Sequence, residues 1–444
     1  PPRSPLFAGL CSVADWLASR SDETNFSFRQ QAEPLSLYYE KKISADADRI
    51  FKLSGIDGTV RSYGGVHRLL PDTAMPRLLQ PKVDELPLQT GLTIIEAPTG
   101  SGKTEAALAY AWRLLAAEMA DSIIFALPTQ ATANSMLGRL EKVATKIFKD
   151  SPNLLLAHGS ARFNNKFAEL RRKSLKDSGE PDGWVQCSEW LAESRKRIFL
   201  GQIGVCTIDQ VLISVLPVKH RFVRGFGVGR SVLIVDEVHA YDAYMYGLLE
   251  EVLRQQRDVG ASAILLSATL PATQKRQLCA IWQADEQDTA EPAPYPLITW
   301  VGENEIKPLA ITLDEHMNPN EVSIECLRTA KMELDDAMLK RIVAAAESGA
   351  QVAIICNVVN TAQRAARLLR EMSSESVDLF HARYRFKDRQ LKEADVIRRF
   401  GPDGSRDRGH ILVATQGVEQ SLDLDFDWML TQLCQIDLLF QRMG

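Results

Sequence analysis

The segment that most constrains this chain is Ala97-Pro98-Thr99-Gly100-Ser101-Gly102-Lys103-Thr104, set between an apolar run at 93–96 and a helical stretch at 104–119. A buried strand, a loop of small residues and a helix, in that order, make a cradle for phosphate. Backbone N–H groups curl around the anion and the helix N-terminus adds favourable dipole charge. Position 97 carries Ala where the broader G-x-x-x-x-G-K-[ST] pattern begins with Gly. In this arrangement Gly100, Ser101 and Gly102 wrap the β- and γ-phosphates of a nucleotide, Lys103 reaches the same phosphates, and Thr104 ligates Mg2+.

The second half of such a site is the apolar run Val232 to Val235 followed by Asp236-Glu237-Val238-His239. A buried strand ending in two carboxylates lets Asp236 hold magnesium through water and Glu237 act as general base on the attacking water. His239 is placed to bridge toward Ser267-Ala268-Thr269 and sense the γ-phosphate. Alone, D-E-x-H reads equally well as a surface acidic cluster, and only its order with the phosphate loop and the S-A-T segment makes it specific. His239 as a metal ligand lacks a second histidine at the H-E-x-x-H spacing. ATP hydrolysis is the chemistry these residues predict.

The chain has 444 residues, 45% hydrophobic and 25% charged, which suits two to three globular domains. A formal charge of −5 gives no global positive field, so any nucleic-acid contact must be local. Seven cysteines without C-x-x-C pairs suit a reducing compartment. With no long apolar run or signal peptide, the sequence reads as soluble, cytoplasmic and without a membrane segment. Residues 1–75 read as a helical segment with an apolar stripe at Phe7, Leu10, Cys11, Val13, Ala14 and Leu17. From 76 to 310, short apolar strands at 93–96, 122–126, 153–157, 205–207, 231–235 and 263–267 alternate with helices, which predicts a parallel, doubly covered sheet. A basic, aromatic insertion at 160–200 reads as a solvated surface or as a flap over a nucleic-acid channel. A Pro/Glu/Asp-rich passage at 284–296 reads as a linker or loop. A second α/β rhythm runs from 311 to 444, with helices at 331–347, 360–372 and 388–399 and strands at 351–356, 377–380 and 410–415. Both ends read as cut.

In this order the motifs resemble those of superfamily 2 DExH helicases, and more closely the CRISPR-associated helicase–nucleases of type I interference systems. The likeness rests on Ile95-Glu96-Ala97-Pro98-Thr99-Gly100-Ser101-Gly102-Lys103-Thr104-Glu105, Ala126-Leu127-Pro128-Thr129-Gln130-Ala131-Thr132-Ala133-Asn134 and Asp236-Glu237-Val238-His239-Ala240-Tyr241-Asp242. It continues with His381-Ala382-Arg383-Tyr384 and Ala414-Thr415-Gln416-Gly417-Val418-Glu419-Gln420-Ser421-Leu422-Asp423. The resemblance implies two tandem RecA-like domains preceded by the helical end of an HD-type nuclease domain. It implies that Gln80 reads adenine, that Asp423 faces the nucleotide, and that Gln441 and Arg442 open the last motif, with Arg442 touching the nucleotide or Asp423. Pro128, Thr129, Gln130, Thr207, Asp209 and Gln210 would line a single-stranded DNA track in the first domain, and Thr415, Gln416 and Glu419 in the second. Met alone, Thr129 or Thr415 is equally an ordinary loop or cap threonine. Asp15 would be one ligand of a divalent transition metal otherwise held by histidines, although a metal needs several ligands. Implied partners are single-stranded DNA and a crRNA-guided surveillance complex, served by a monomeric motor with weakened turnover in this stretch. Two rivals are a general DExH RNA helicase or restriction-type translocase, and an ATP-binding docking module without turnover.

Overall fold

Leu-, Ile- and Val-rich runs of four to six residues alternate with amphipathic helices, and each run becomes a buried strand. A computed structural model describes residues 4–19, 33–149, 152–159, 167, 191, 197–268, 270–282, 294–312, 322–328, 334–401, 404, 406–416, 424–434 and 436–443. The chain divides into two compact units, Pro1–Glu315 and His316–Gly444.

The first unit holds β1 (Leu92–Glu96), β2 (Ser122–Leu127), β3 (Leu154–Ala157), β4 (Ile203–Thr207), β5 (Ser231–Val235), β6 (Ala263–Ser267), β7 (Leu297–Val301) and β8 (Ile306–Ala310). They form one sheet in the order β3-β4-β2-β5-β6-β1-β7-β8. The first six are mutually parallel where they pair, and β7 and β8 add antiparallel beyond β1. Every residue of β1 to β7 is buried, the reason these strands read as unbroken apolar runs rather than alternating ones. The sequence pattern did not distinguish β7 and β8 from a loop. Both lie beyond the last helix of the α/β rhythm, and β8 is half exposed.

The unit's principal helices are α1 (Ser4–Ala18), α2 (Ser44–Ser54), α3 (Lys103–Ala116), α4 (Gln130–Ile147), α5 (Ile208–Leu212), α6 (Arg221–Gly229), α7 (Ala243–Val259) and α8 (Ala272–Trp282). Helix α1 lies on α6 so closely that a Cβ on Gly9 would fall 2.3 Å from the Phe222 carbonyl oxygen. Trp16 packs its ring 5.6 Å from that of His220. Of the basic, aromatic segment 160–200, only 167, 191 and 197–200 are among the described residues; Phe167 and Leu191 sit in the unit's core. Residues 284–293 likewise lie outside them.

The second unit carries α9 (Asp336–Glu347), β9 (Gln351–Cys356), α10 (Val359–Met372), β10 (Ser376–Phe380), α11 (Phe386–Phe400), β11 (His410–Thr415), β12 (Trp428–Thr431) and α12 (Ile436–Met443). Its sheet is parallel throughout, in the order β10-β11-β9-β12. Alternate residues feed opposite faces: Val352 and Ile354 join a core with α9 and α10, while Ala353 and Ile355 join Phe380, Val396 and Phe400. Helix α9 begins later than the periodicity suggests. Asp335 is its N-cap, accepting a 2.8 Å hydrogen bond from the Met338 N–H, and an Asp in that role stops the helix from extending backward. Among the described residues no helix is long and apolar enough to cross a membrane.

Candidate functional site

The carboxyl ends of the parallel strands bring the motifs of the first unit to one edge. Residue 97 follows β1, 128 follows β2 and 236 follows β5, while Thr207 and Ser267 end β4 and β6. An open parallel sheet offers ligands this edge.

The loop from Ala97 to Gly102 turns through left-handed backbone at Gly100 (φ 76°) and Gly102 (φ 88°), and the Ser101 N–H closes it by donating to the Pro98 carbonyl oxygen at 3.2 Å. Lys103 opens α3 and folds back beneath the loop, its Nζ donating to the carbonyl oxygens of Ala97 (2.7 Å) and Pro98 (3.0 Å). Burial lowers the pKa of Lys103, opposed by the nearby Glu237 and Asp236 carboxylates. Gln80 is buried beside the loop and accepts a 2.9 Å hydrogen bond at Oε1 from the Arg77 N–H. Its Nε2 lies 2.2 Å from where a Cβ on Gly102 would stand, and an Arg77 guanidinium nitrogen 3.6 Å from one on Gly100. Thr104 is partly buried one residue into α3, and its neighbour Glu105 pairs with Arg139 of α4.

Asp236 follows β5 and accepts a 3.0 Å hydrogen bond from the Glu237 N–H. Burial, then repulsion from Glu237, pushes its pKa up to about 7, and burial raises that of Glu237 as well. Glu237 holds left-handed backbone at φ 51°, unusual for a residue with a side chain and a mark of local strain. Its Oε2 stands 3.4 Å from His239 Nδ1, and that nitrogen is 3.0 Å from Ser267 Oγ. The Tyr241 hydroxyl donates to the Asp236 carbonyl oxygen at 2.8 Å, pinning the turn.

These residues fit a nucleotide with magnesium. Residues 98–100 of the loop are exposed at the carboxyl edge of the sheet, Glu237 Oε2 is buried without a hydrogen bond, and two carboxylates with raised pKa values face one lysine. Thr104 and Asp236 are the oxygen donors nearest in kind to magnesium's preference.

The other predicted residues fall in several places. Thr129 caps α4: its Oγ1 accepts from the Thr132 N–H at 3.2 Å, and Thr132 Oγ1 accepts from the Thr129 N–H at 3.3 Å. Pro128 is half-buried before it and Gln130 is exposed. Thr207 is buried at the start of α5, followed by exposed Asp209 and by Gln210, whose Nε2 donates to Asp209 Oδ2 at 2.6 Å. In the second unit Thr415 is buried at the end of β11 and Gln416 is exposed. Glu419 and Asp423 lie outside the described residues, as does Thr269. Arg442 is buried on α12 and donates to Thr431 Oγ1 and, at 3.2 Å, to the Gln432 carbonyl oxygen. Asp15 is exposed on α1, and among the described residues no three His, Cys, Asp or Glu side chains gather as a metal site.

Sequence reasoning missed Lys275 of α8, which forms an ion pair with Glu96 at the end of β1, both side chains nearly buried. It also missed Tyr295, whose hydroxyl donates to the Ala268 carbonyl oxygen at 3.0 Å. The one available signal was an acidic residue ending a buried strand.

Residues 79–277 match the family model of the DEAD/DEAH box helicases, and residues 348–444 match that of the CRISPR-associated nuclease/helicase Cas3, C-terminal. Over its whole length the chain is 53% identical to the CRISPR-associated endonuclease/helicase Cas3 of Escherichia coli K12, covering 51% of it. The chain belongs to the Cas3 family. Cas3 of Thermus thermophilus is 36% identical over 98% of the chain, again covering 51% of the relative. The crystal structure of T. fusca Cas3 superposes with a TM-score of 0.83 at 30% identity, covering all of this chain and 52% of that one. The structure described as T. fusca Cas3-ATP gives 0.80 at 29% identity, over the same shares. The chain thus spans about half the length of the Cas3 relatives it matches.

Proposed function

We propose that this chain is the ATP-driven motor portion of a Cas3-type protein, and that it moves along single-stranded DNA. The observation that carries the reading is the gathering of Lys103, Asp236, Glu237, His239 and Ser267 around one glycine-lined loop at the sheet's carboxyl edge. Thr104 and Asp236 would hold magnesium, which when bound would neutralise charge on the triphosphate. Lys103 exchanges the Ala97 and Pro98 carbonyls for phosphate oxygens. Glu237, its basicity increased by burial, takes the proton of the attacking water. His239, bridging Glu237 and Ser267, links that base to the end of β6. Gln80, whose amide stands beside Gly102, reads adenine in this scheme.

Pro128, Thr129, Gln130, Thr207, Asp209 and Gln210 line a track for single-stranded DNA in the first unit, and Thr415, Gln416 and Glu419 do related work in the second; backbone N–H groups, hydroxyls and amides along it grip phosphates without reading bases, which suits a sequence-independent motor. In the longer protein the motor feeds DNA to a metal-dependent nuclease domain to which Asp15 belongs. Recruitment is by a crRNA-guided surveillance complex. A support for that partner is a likeness at TM-score 0.64 and 27% identity, over all of this chain and 48% of that one, to a chain of a "CRISPR RNA-guided surveillance complex, pre-nicking". Delegating recognition to a guide RNA removes the need for a base-reading element. The motor works as a monomer in the cytoplasm.

The test is steady-state ATP hydrolysis by the chain with and without single-stranded DNA or RNA, beside Lys103→Ala. Turnover that rises with DNA and disappears in the variant supports the motor. Stimulation by RNA alone points to a general RNA helicase, and nucleotide binding without turnover points to a docking module.

A further inference from the structure

The ion pair between Glu96 and Lys275 lies at the junction of two segments that the ATP site needs together. Glu96 is the last residue of β1 and the immediate neighbour of Ala97, whose carbonyl oxygen holds the Lys103 ammonium. Lys275 is on α8, the helix that follows the Ser267-Ala268 segment. The same two segments are joined twice more. The Ala97 N–H donates to the Ser267 carbonyl oxygen at 3.2 Å, and Glu96 is the register partner of Ser267 between β1 and β6. From the other side, β7 pairs Leu297 with Glu96, and just before it Tyr295 donates to the Ala268 carbonyl oxygen. A buried ion pair is a poor choice for stability alone, because an apolar pair of similar volume packs as well without the desolvation cost. What it offers is a fixed, directional link, unlike a greasy contact that slides.

We propose that Glu96 and Lys275 are a positioning pair that holds the Ser267-Ala268 segment in register with the phosphate loop, so that the site distinguishes a nucleoside triphosphate from a diphosphate. The inference rests on reading the first unit as an ATP site. Ser267 carries it to the chemistry, since its hydroxyl meets His239, which in turn faces Glu237. Loosening the pair leaves the loop able to hold the β-phosphate but leaves Ser267 and His239 out of place for the γ-phosphate. Tyr295, tethering Ala268 at the segment's far side, is a second positioning residue of the same device.

The readout is binding rather than turnover: the Kd for ADP divided by that for a non-hydrolysable ATP analogue, both measured with magnesium on the full chain. The neutral pair Glu96→Gln/Lys275→Met removes both charges and leaves no buried charge unpaired. Its ratio is expected to fall to within about two-fold of unity, with the ADP Kd itself changed by less than about two-fold. The reversed pair, Glu96→Lys/Lys275→Glu, is expected to recover discrimination. A parent that binds both nucleotides alike overturns the proposal, as does a neutral-pair variant that keeps the parental ratio. Should the neutral pair fail to fold, Tyr295→Phe decides: a ratio lowered by about three-fold supports the device, and an unchanged one overturns it. Lys103→Ala separates the two levels. If it binds nucleotide as the parent does, the ATP-site reading itself fails; if it alone loses binding while the pair variants match the parent, only the positioning role fails.

Discussion

At the scale of single residues, the two left-handed glycines of the phosphate loop are not equivalent. A Cβ on Gly102 would stand 2.2 Å from Gln80 Nε2, whereas one on Gly100 meets only an Arg77 nitrogen at 3.6 Å. Gly100→Ala should therefore cost only backbone strain, about 1–2 kcal/mol. Gly102→Ala must also displace the Gln80 amide and should abolish nucleotide binding, as isothermal titration of the two variants would show. The carboxylates give a pH prediction for the metal-free chain. Asp236 has an ordinary pKa of 3.8 and is pushed up to about 7 in the folded protein, so between those values the folded form holds a proton that the unfolded form releases. Stability is then greatest at the acid end of this window and falls as pH rises toward 7. In chelator, the melting temperature should drop across that range, and Asp236→Asn should flatten the drop. A chain whose melting temperature rises over the same interval with Asp236 intact, and not with Asn, contradicts the assignment.

Elements show which parts of this molecule were legible beforehand. The phosphate-loop strand and helix and the strand before Asp236 could be read because their chemistry is local: a small-residue loop, an apolar run, a carboxylate pair. Nothing local announced that β7 would return antiparallel beside β1, or that Lys275 would meet Glu96 from 179 positions away. Those contacts depend on strand order, which the apolar pattern of a fully buried sheet does not encode. Thr129 illustrates a residue with two plausible employments. Its hydroxyl caps α4 in a reciprocal pair with Thr132, so Thr129→Ala should destabilise the first unit by about 1 kcal/mol. Thr129→Ser keeps the cap oxygen and should keep the stability. If Thr129 also grips DNA, the alanine variant should weaken DNA binding at temperatures where the unit stays folded.

For the whole molecule, the two units have separate cores, and calorimetry should resolve two transitions. A ligand confined to the folded first unit adds about 2.7 kcal/mol to it at a hundred-fold excess over Kd. The ATP analogue should thus raise one transition, with the increase lost in Lys103→Ala. With a formal charge of −5, the chain can attract DNA only through local cations. Binding of single strands should weaken steeply with salt, roughly as 0.7 of the number of phosphates neutralised on a log–log plot.

The antiparallel pair β7 and β8 has a mechanical meaning. Because β7 covers its outer side, β1 is bonded to neighbours along both flanks, with five register pairs to β6 and five to β7. A pull on the phosphate loop along β1 therefore loads both ladders in shear, where their bonds resist together, rather than peeling them one at a time. The strand that anchors the nucleotide is a tension member braced on either side, as an engine working against a load requires.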